Sequence, residues 1–332
     1  MRFFIAMALM LAPAAVNAQA VLTSSNNKVR IGINSTGDLN GGSPYTGLAY
    51  NFSGQGGVSG YRDALTPGCA CEAWGVAANG REGQVGRVTG NTNISFVSAA
   101  AGAGSYTSVT RLSNVSGLTV TQRFSEAAST ATGALFVNQV TISNTTASTM
   151  TDVRYARAMD WDVPPTEYSE FTTFKGVSTT KTLLRSTDNG FASALPISGM
   201  SDPGRQGPIN SDGTTGPSDH GAFFIFGFGD IAAMSNYTFN IYYGAGANQF
   251  DALNLLSNVS PELYNFGQSN ASGKPATELP TYVFAFSGVG GSVVVPTVPE
   301  PSTWALMVVG FGGVAWAVRR RRATGGVVSL LA

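Results

Sequence analysis

The densest group of acidic side chains in the chain surrounds one tryptophan. Asp160 and Asp162 flank Trp161, and Glu167 and Glu170 follow within the next eight residues. If this segment is a strand, Asp160 and Asp162 project from the same face, because side chains alternate along a strand. Carboxylate oxygens are the hard ligands that Ca²⁺ prefers. The sequence therefore makes Asp160, Asp162, Glu167 and Glu170 a candidate calcium site.

Two other interpretations of this acidic cluster stay open. A pair of carboxylates about 5–9 Å apart can hydrolyse a glycosidic bond. The acids can also be solvated groups at a strand end, beside the turn at Pro164-Pro165. The spacing matches neither an EF-hand loop nor a repeat that binds calcium. We expect a non-enzymatic protein whose only cofactor option is calcium.

Cys69 and Cys71 are the only cysteines. Cα atoms two residues apart in an extended chain are about 6.5–7 Å apart, at the upper limit for a disulfide. A turn at Pro67-Gly68 would shorten this distance. Three interpretations stay open: the cysteines form a local disulfide, they are free or intermolecular thiols, or they have a metal or redox role. Two thiolates alone cannot complete a tetrahedral zinc site.

The single histidine, His220, follows Asp219. A histidine oriented by a neighbouring carboxylate can act as a general base. The alternative is a turn in which His220 forms a hydrogen bond with a backbone carbonyl. The chain contains no G-x-S-x-G sequence that would supply a serine nucleophile.

The elements that would position these residues are strands. Segments rich in Val, Thr, Tyr and Phe alternate with short polar loops, which indicates an antiparallel meander in a sandwich or barrel. The predicted strands are Tyr106–Leu112, Leu118–Phe124, Ala134–Ser143, Thr151–Trp161, Ala222–Phe228, Tyr237–Tyr243 and Thr281–Ser287. The continuous apolar run from Phe223 to Phe226 predicts a strand that is covered on both faces. The alternating aromatic residues of the last two strands predict core positions.

Helical signals are few. Residues 248–257 carry Phe250, Leu253 and Leu256 at helical spacing, and Ser260-Pro261-Glu262 is typical of a helix start. We therefore predict one or two short helices beside the sheets. Residues 34–60 and 186–221 are rich in turn-forming residues and are predicted to be loops.

Composition excludes several classes of protein. Charged residues make up 11% of the chain, and the single histidine excludes a zinc site built on several histidines. Residues 21–297 carry 14 basic and 18 acidic side chains. Because nucleic-acid binding needs an excess of basic residues, we expect no nucleic-acid partner.

Both ends of the chain resemble processing signals. Met1-Arg2, an apolar run from Phe3 to Val16 and small residues near Ala18 and Ala20 form a secretory signal peptide pattern. Near the other end, 15 uncharged residues from Trp304 to Val318 precede Arg319, Arg320, Arg321 and Arg322. A short apolar span that is followed by a cluster of arginines orients its basic end toward the cytoplasm.

The C-terminal segment resembles the PEP-CTERM sorting signal. The resemblance rests on Pro299, Glu300, Pro301, Trp304, Ala305 and the four arginines, and it covers about 25 residues. It implies export from a Gram-negative cell that makes exopolysaccharide, with a transient anchor in the inner membrane and processing by an exosortase. The strand segments at residues 152–162, 219–229 and 242–245 also resemble β-sandwich regions of other PEP-CTERM proteins. The segment at 152–162 also resembles supersandwich domains of sugar enzymes.

Together these features predict an all-β chain that folds as an antiparallel β-sandwich. A supersandwich-like arrangement is an alternative form of this fold. The predicted parts are listed in chain order: a signal peptide at 1–20, a sandwich domain at 21–288, a linker at 289–297, a sorting signal with a transmembrane helix at 298–322 and a short tail at 323–332. We expect signal peptidase and exosortase as partners and a final location at the cell surface or outside the cell. The predicted role is structural or adhesive in the biofilm matrix; the alternatives are an exopolysaccharide-binding module and a carbohydrate-active enzyme.

Overall fold

The protein forms a layered β structure. The computed structural model describes residues 19–42, 45–86 and 90–294. These residues belong to a compact unit that ends at Val295, and a second unit, Pro296–Ala332, lies outside the described residues. The strands, in chain order, are β1 (Ala20–Thr23), β2 (Val29–Ile33), β3 (Leu48–Ser53), β4 (Ser59–Asp63), β5 (Glu72–Ala78), β6 (Arg81–Gly86), β7 (Ile94–Gly102), β8 (Ser105–Leu112), β9 (Leu118–Ser129), β10 (Ala134–Asn144), β11 (Met150–Trp161), β12 (Glu170–Lys175), β13 (Leu183–Thr187), β14 (Gly213–Ser218), β15 (His220–Ile231), β16 (Asn236–Gly246), β17 (Leu263–Gln268) and β18 (Thr281–Ser287).

The strands pair into three antiparallel sheets. A four-stranded sheet has the order β1-β2-β3-β4, and a five-stranded sheet has the order β13-β15-β11-β5-β6. The largest sheet has nine strands in the order β14-β12-β17-β18-β16-β10-β9-β8-β7. The two smaller sheets pack on one face of the nine-stranded sheet, where their apolar residues join a single core. This arrangement confirms the predicted antiparallel all-β sandwich.

Alternation of side chains explains why the long strands face the core on one side only. In β9, Leu118, Val120 and Phe124 are buried, whereas Thr119 and Arg123 between them are more exposed. A period of two is the pattern of a sheet with one covered face. The face of the nine-stranded sheet that these buried residues form is called the inner face below, and the opposite one the outer face.

Aromatic rings fill the space between the five-stranded and nine-stranded sheets. Phe224 of β15 lies 5.3 Å from Phe286 of β18, measured between ring centroids. Tyr155 of β11 meets Phe239 of β16 edge to face at 5.1 Å. Such pairs contribute about 0.5–1.5 kcal/mol each beyond the area they bury. The alternating aromatic residues of β16 and β18 are therefore core residues, as predicted, except Tyr237, which is only partly buried at the edge of the core.

Strand β15 is covered on both faces, as its apolar run predicted. Phe223, Phe224, Ile225 and Phe226 are all fully buried. Phe224 and Phe226 point to the central core, whereas Phe223 and Ile225 form a second cluster. Ala192, Ala194 and Met200 complete that cluster, so the long connection between β13 and β14 covers this sheet's far face.

One α-helix lies among the described residues, α1 (Gln249–Ser257). The Oδ1 atom of Asn248 caps it by accepting a hydrogen bond from the N–H of Asp251 at 2.9 Å. Helix α1 packs Ala252, Leu255 and Leu256 against the outer face of the nine-stranded sheet.

The second predicted helix, at Ser260-Pro261-Glu262, is wrong. Ser260 has a φ of 48°, and the chain passes directly into β17. The Glu262 carboxylate accepts N–H groups of Gly288, Val289 and Gly291 and so anchors the segment that follows β18. A left-handed residue at this point turns the chain away from the helix axis.

Both predicted loops contain regular structure. Residues 34–60 include β3, and residues 186–221 include β14, so both predictions were too broad. In β14, two glycines and a proline hid the strand from the pattern, because such residues are depleted in strands.

Candidate functional site

Strand β11 carries the two central acids of the predicted cluster to its end. Asp160 lies within the strand and Asp162 directly after it, and each is only 1% exposed. Glu170 begins β12 and is fully buried. Glu167 lies in the turn between the two strands and is partly exposed. Three of the four predicted residues are therefore buried at one end of the sandwich.

The structure adds Asp219, which the sequence analysis paired with His220 instead. Strands β11 and β15 are antiparallel, with Asp160 opposite Gly221 and Trp161 opposite His220. This register carries Asp219 to the position facing Asp162. Asp160, Asp162 and Asp219 each offer one carboxylate oxygen, and these three atoms lie within 4.8 Å of one another.

Most oxygens of this acidic cluster have no hydrogen-bond partner. Both carboxylate oxygens of Asp162 are buried and unpartnered. The same holds for Oδ1 of Asp160, Oδ1 of Asp219 and Oε2 of Glu170. Glu170 Oε1 accepts the N–H of His220 at 3.0 Å. Buried polar groups are normally paired, so unpartnered atoms concentrated in one place need a physical explanation.

The electrostatics of the cluster follow from this burial. Burial, together with the neighbouring Asp162 and Asp219 carboxylates, raises the pKa of Asp160 to about 9. Burial, together with the carboxylates of Asp219 and Glu167, raises the pKa of Asp162 to about 7. Burial raises the pKa of Glu170 to about 8, against the hydrogen bond from His220. The cluster therefore resists holding several negative charges unless a positive charge is added.

The Cys69–Cys71 pair borders the cluster. The structure joins the two residues in a disulfide whose Cα atoms are 5.2 Å apart. Cys69 Sγ lies 3.7 Å from Asp160 Oδ2, and the Asp160 N–H donates to the Cys71 carbonyl at 3.0 Å. A disulfide has no thiolate to offer a metal, so in this state the available donors are oxygens.

Glycines allow the covering loop to approach Asp160. A Cβ atom at Gly190 would lie 2.4 Å from the Asp160 Cα, and one at Gly221 would lie 1.9 Å from the Met159 carbonyl oxygen. Neither position accepts a side chain without displacing backbone. The loop after β13 thus lies directly against the acidic cluster. The turn residues around Gly190 predicted a loop here but gave no sign of its contact with Asp160.

His220 has a different partner from the one the sequence suggested. It begins β15 and is fully buried, so the predicted turn is wrong. Its Nδ1 atom lies 3.4 Å from Asp188 Oδ2, and Asp188 also accepts the N–H groups of Arg205 and Gln206 at 2.7 and 2.9 Å. These contacts of Asp188 hold the loop after β13 against the start of β15, next to the acidic cluster.

A second buried polar group lies in the core on the other face of β11. Arg157 forms an ion pair with Glu72 of β5, and both side chains have no exposed surface. Arg157 Nη1 donates to Gln122 Oε1 and to Tyr155 Oη, each at 2.9 Å. Glu72 Oε2 accepts the N–H of Leu39 at 2.7 Å. These partners satisfy the pair and give it a structural role.

The outer face of the nine-stranded sheet presents a row of polar side chains. Arg123, Gln139, Asn240 and Ser287 stand opposite one another on β9, β10, β16 and β18. Arg123, Gln139 and Asn240 of this row line a groove of about 570 Å³, together with Asn258 and Ser260 after α1. Arg123 is the one charged side chain of the groove lining among the described residues.

Among the described residues, no helix is long and apolar enough to cross a membrane. Residues 1–18 of the predicted signal peptide and the whole predicted transmembrane helix lie outside those residues. The last two residues of the predicted signal peptide, Gln19 and Ala20, are described, and Ala20 begins β1. The sorting residues Pro299, Glu300, Pro301, Trp304, Ala305 and Arg319 to Arg322 also lie there.

Comparison with known proteins bears on this C-terminal segment. No curated protein and no solved structure matches the chain. A family model described as the PEP-CTERM protein-sorting motif matches residues 297–322, which include all the predicted sorting residues. The predicted resemblance is therefore confirmed over this segment. The chain carries a PEP-CTERM sorting motif and is a secreted protein that is targeted to exosortase, with export and processing toward the cell surface.

Proposed function

We propose that the protein is a non-enzymatic adhesive component of the cell surface or biofilm matrix that binds extracellular polysaccharide through its outer sheet face. The observation that carries this proposal is the row of Arg123, Gln139 and Asn240 across three neighbouring strands. Adjacent strands are about 4.8 Å apart, so the row repeats at a spacing of the same order as a sugar unit in an extended polymer.

The chemistry of the row favours a hydroxyl-rich, acidic polymer. The amides of Gln139 and Asn240 supply both donors and acceptors, which suits sugar hydroxyl groups. Arg123 adds a planar cation that can pair with a carboxylate through two parallel hydrogen bonds. The sandwich supplies a rigid sheet for this row, and the sorting motif supplies the route to the surface.

Cosedimentation with exopolysaccharide from the producing cells tests the proposal. The full-length protein, purified in detergent, should enter the pellet with the polymer, and Arg123→Gln should reduce the bound fraction. Arg111→Gln is the matched control, because Arg111 is an exposed arginine of the neighbouring strand β8 outside the groove. Wild-type protein that stays in the supernatant would contradict polymer binding.

A carbohydrate-active enzyme is the second candidate. It is favoured by the raised pKa values of Asp160, about 9, and Glu170, about 8, because a general acid must hold its proton near neutral pH. The same incubation distinguishes the two roles. Shortened polymer chains support the enzyme, and polymer of unchanged length with bound protein supports adhesion.

A further inference from the structure

The acidic cluster at the end of β11 joins three separate segments of the chain. Asp160 and Asp162 come from the end of β11, Glu170 from the start of β12, and Asp219 from the residue before β15. Asp160, Asp162 and Glu170 are each at least 98% buried. Five carboxylate oxygens in this cluster have no hydrogen-bond partner.

Such an arrangement is unfavourable by itself. Burying a carboxylate without a partner costs free energy, and placing several together adds repulsion between like charges. The cost is largest to account for at Asp162, because this residue is 1% exposed and neither of its carboxylate oxygens accepts a hydrogen bond. Unpartnered oxygens that converge within a few ångströms form a place for a positive charge.

We propose that Asp160, Asp162, Asp219 and Glu170 bind a divalent cation, and that this cation is Ca²⁺. The inference is independent of polymer binding, since the groove and the acidic cluster share no lining residue. It also differs from the sequence-based candidate site, because Asp219 replaces the partly exposed Glu167 as a ligand.

The size of the cluster suits calcium. Ca²⁺ lies about 2.3–2.6 Å from its oxygen ligands, so two ligands on opposite sides are about 5 Å apart. The three aspartate oxygens, all within 4.8 Å of one another, fit around one such ion. Two ligands that can bind through both oxygens, such as Asp160 and Asp162, help to reach the six to eight oxygens that Ca²⁺ takes.

The donor atoms separate calcium from the common alternatives. Zinc prefers nitrogen and sulfur, and the nearest sulfur atoms are joined in the Cys69–Cys71 disulfide. Magnesium demands strict octahedral geometry and usually retains several waters, whereas this cluster is buried. Several carboxylates converging on one point are typical of a calcium site, because Ca²⁺ accepts irregular coordination geometry.

The cation would connect elements that are distant in sequence. It would tie the end of β11 to the start of β12 and to the segment that enters β15, beneath the loop that Gly190 brings over Asp160. We therefore expect calcium to stabilise the end of the sandwich and to protect the loop at residues 188–212 from proteases.

Calcium titration of the full-length protein tests this site. The protein is purified in detergent, stripped with EGTA, and titrated with CaCl₂ by calorimetry, with thermal unfolding measured in parallel. We expect one calcium per chain, a higher Tm with calcium and a smaller rise with the same concentration of magnesium. Absence of binding heat and of any Tm change at millimolar calcium would overturn the proposal.

Matched variants locate the ion. Asp160→Asn and Asp162→Asn should each weaken calcium binding by at least about tenfold. Because an amide cannot carry the negative charge that burial and the neighbouring carboxylates disfavour, both variants should unfold at or above the wild-type Tm in EGTA. Asp152→Asn is the control on the same strand, since Asp152 is exposed and pairs with Arg154, and it should leave calcium binding unchanged.

A direct readout covers the case in which a variant does not fold. Terbium binds in place of calcium and emits when a nearby tyrosine or tryptophan transfers energy to it. Trp161 lies between two of the ligands in sequence, so wild-type protein should show terbium emission that calcium displaces. Calcium binding that persists in the double variant Asp160→Asn/Asp162→Asn, or terbium emission that calcium does not displace, would refute the site.

Discussion

Arg157 of β11 pairs with Glu72 of β5 in the centre of the sandwich, with neither side chain exposed. The pair joins neighbouring strands of the five-stranded sheet, in which Arg157 lies opposite Trp74. Arg157 also reaches the nine-stranded sheet through Gln122 of β9. A charged pair thus links two sheets from the strand face that also carries the buried Tyr155 and Met159.

Removing one member of this pair should destabilise the fold strongly. Glu72→Gln leaves the Arg157 guanidinium buried without its counter-charge, which typically costs about 3–5 kcal/mol. Urea unfolding measures the change in the free energy of unfolding. The double variant Glu72→Leu/Arg157→Met should recover much of the loss, and a Glu72→Gln variant as stable as wild type would contradict the structural role.

Stability should depend on pH through Asp188. Burial raises the pKa of its carboxyl, but the hydrogen bonds from His220 and from the N–H groups of Arg205 and Gln206 outweigh burial and lower it. A carboxyl with a lowered folded-state pKa stabilises the fold above its unfolded pKa of about 3.9. That contribution is lost as the pH falls through the lower folded-state value.

Asp188→Asn tests this dependence, because asparagine does not titrate. The variant should be about 1.5–3 kcal/mol less stable near pH 6, the range for hydrogen bonds to a charged group. The difference from wild type should shrink as the pH falls below the unfolded pKa of about 3.9. Trypsin cleavage at the exposed Arg205 gives a local readout, and the variant should be cleaved faster at pH 6. Equal cleavage of both proteins would argue against the role of Asp188 in holding this loop.

The disulfide between Cys69 and Cys71 should resist alkylation. Iodoacetamide without a reductant is expected to leave both residues unlabelled in the exported protein. The double variant Cys69→Ser/Cys71→Ser should lose at most about 2 kcal/mol, because closing so short a loop restricts the unfolded chain little. Quantitative labelling of both cysteines in native protein would show that they are free thiols.

Deletion of the chain from Pro299 onward should change its processing. The deletion removes most of the sorting motif at residues 297–322, so exosortase has no complete signal to recognise. Fractionation of the producing cells and mass measurement of the C-terminus follow the outcome. A deleted protein that reaches the surface as wild type does would show that sorting uses another signal.

Local pattern was sufficient to predict the long strands and much of the acidic cluster. Alternation along β11 placed Asp160 and Asp162 together, since both lie within one short segment. Asp219 was not predicted as their neighbour, because it is 57 residues from Asp162 in sequence. Only the pairing of β11 with β15 brings the two together, and no local spacing encodes that register.

The N-terminal sheet was harder to predict for a different reason. Strands β2 and β3 are short, and the segment between them is rich in glycine and asparagine. The alternating pattern therefore covers few residues. Their burial comes from packing on β16, which is about 200 residues away in sequence. Glu72 and Arg157 were missed for a similar reason, since the neighbours that satisfy both charges come from distant segments.

The position of β18 affects when the exported chain can fold. It is the last strand in the described sequence, yet it lies between β17 and β16 within the nine-stranded sheet. Tyr282 of this strand donates to the Arg62 carbonyl, 220 residues earlier. The sheet therefore stays split until residue 287 has crossed the membrane, and the sorting motif begins only ten residues later. Because non-local pairing is slow, we expect the sheet to be still closing when the sorting motif emerges.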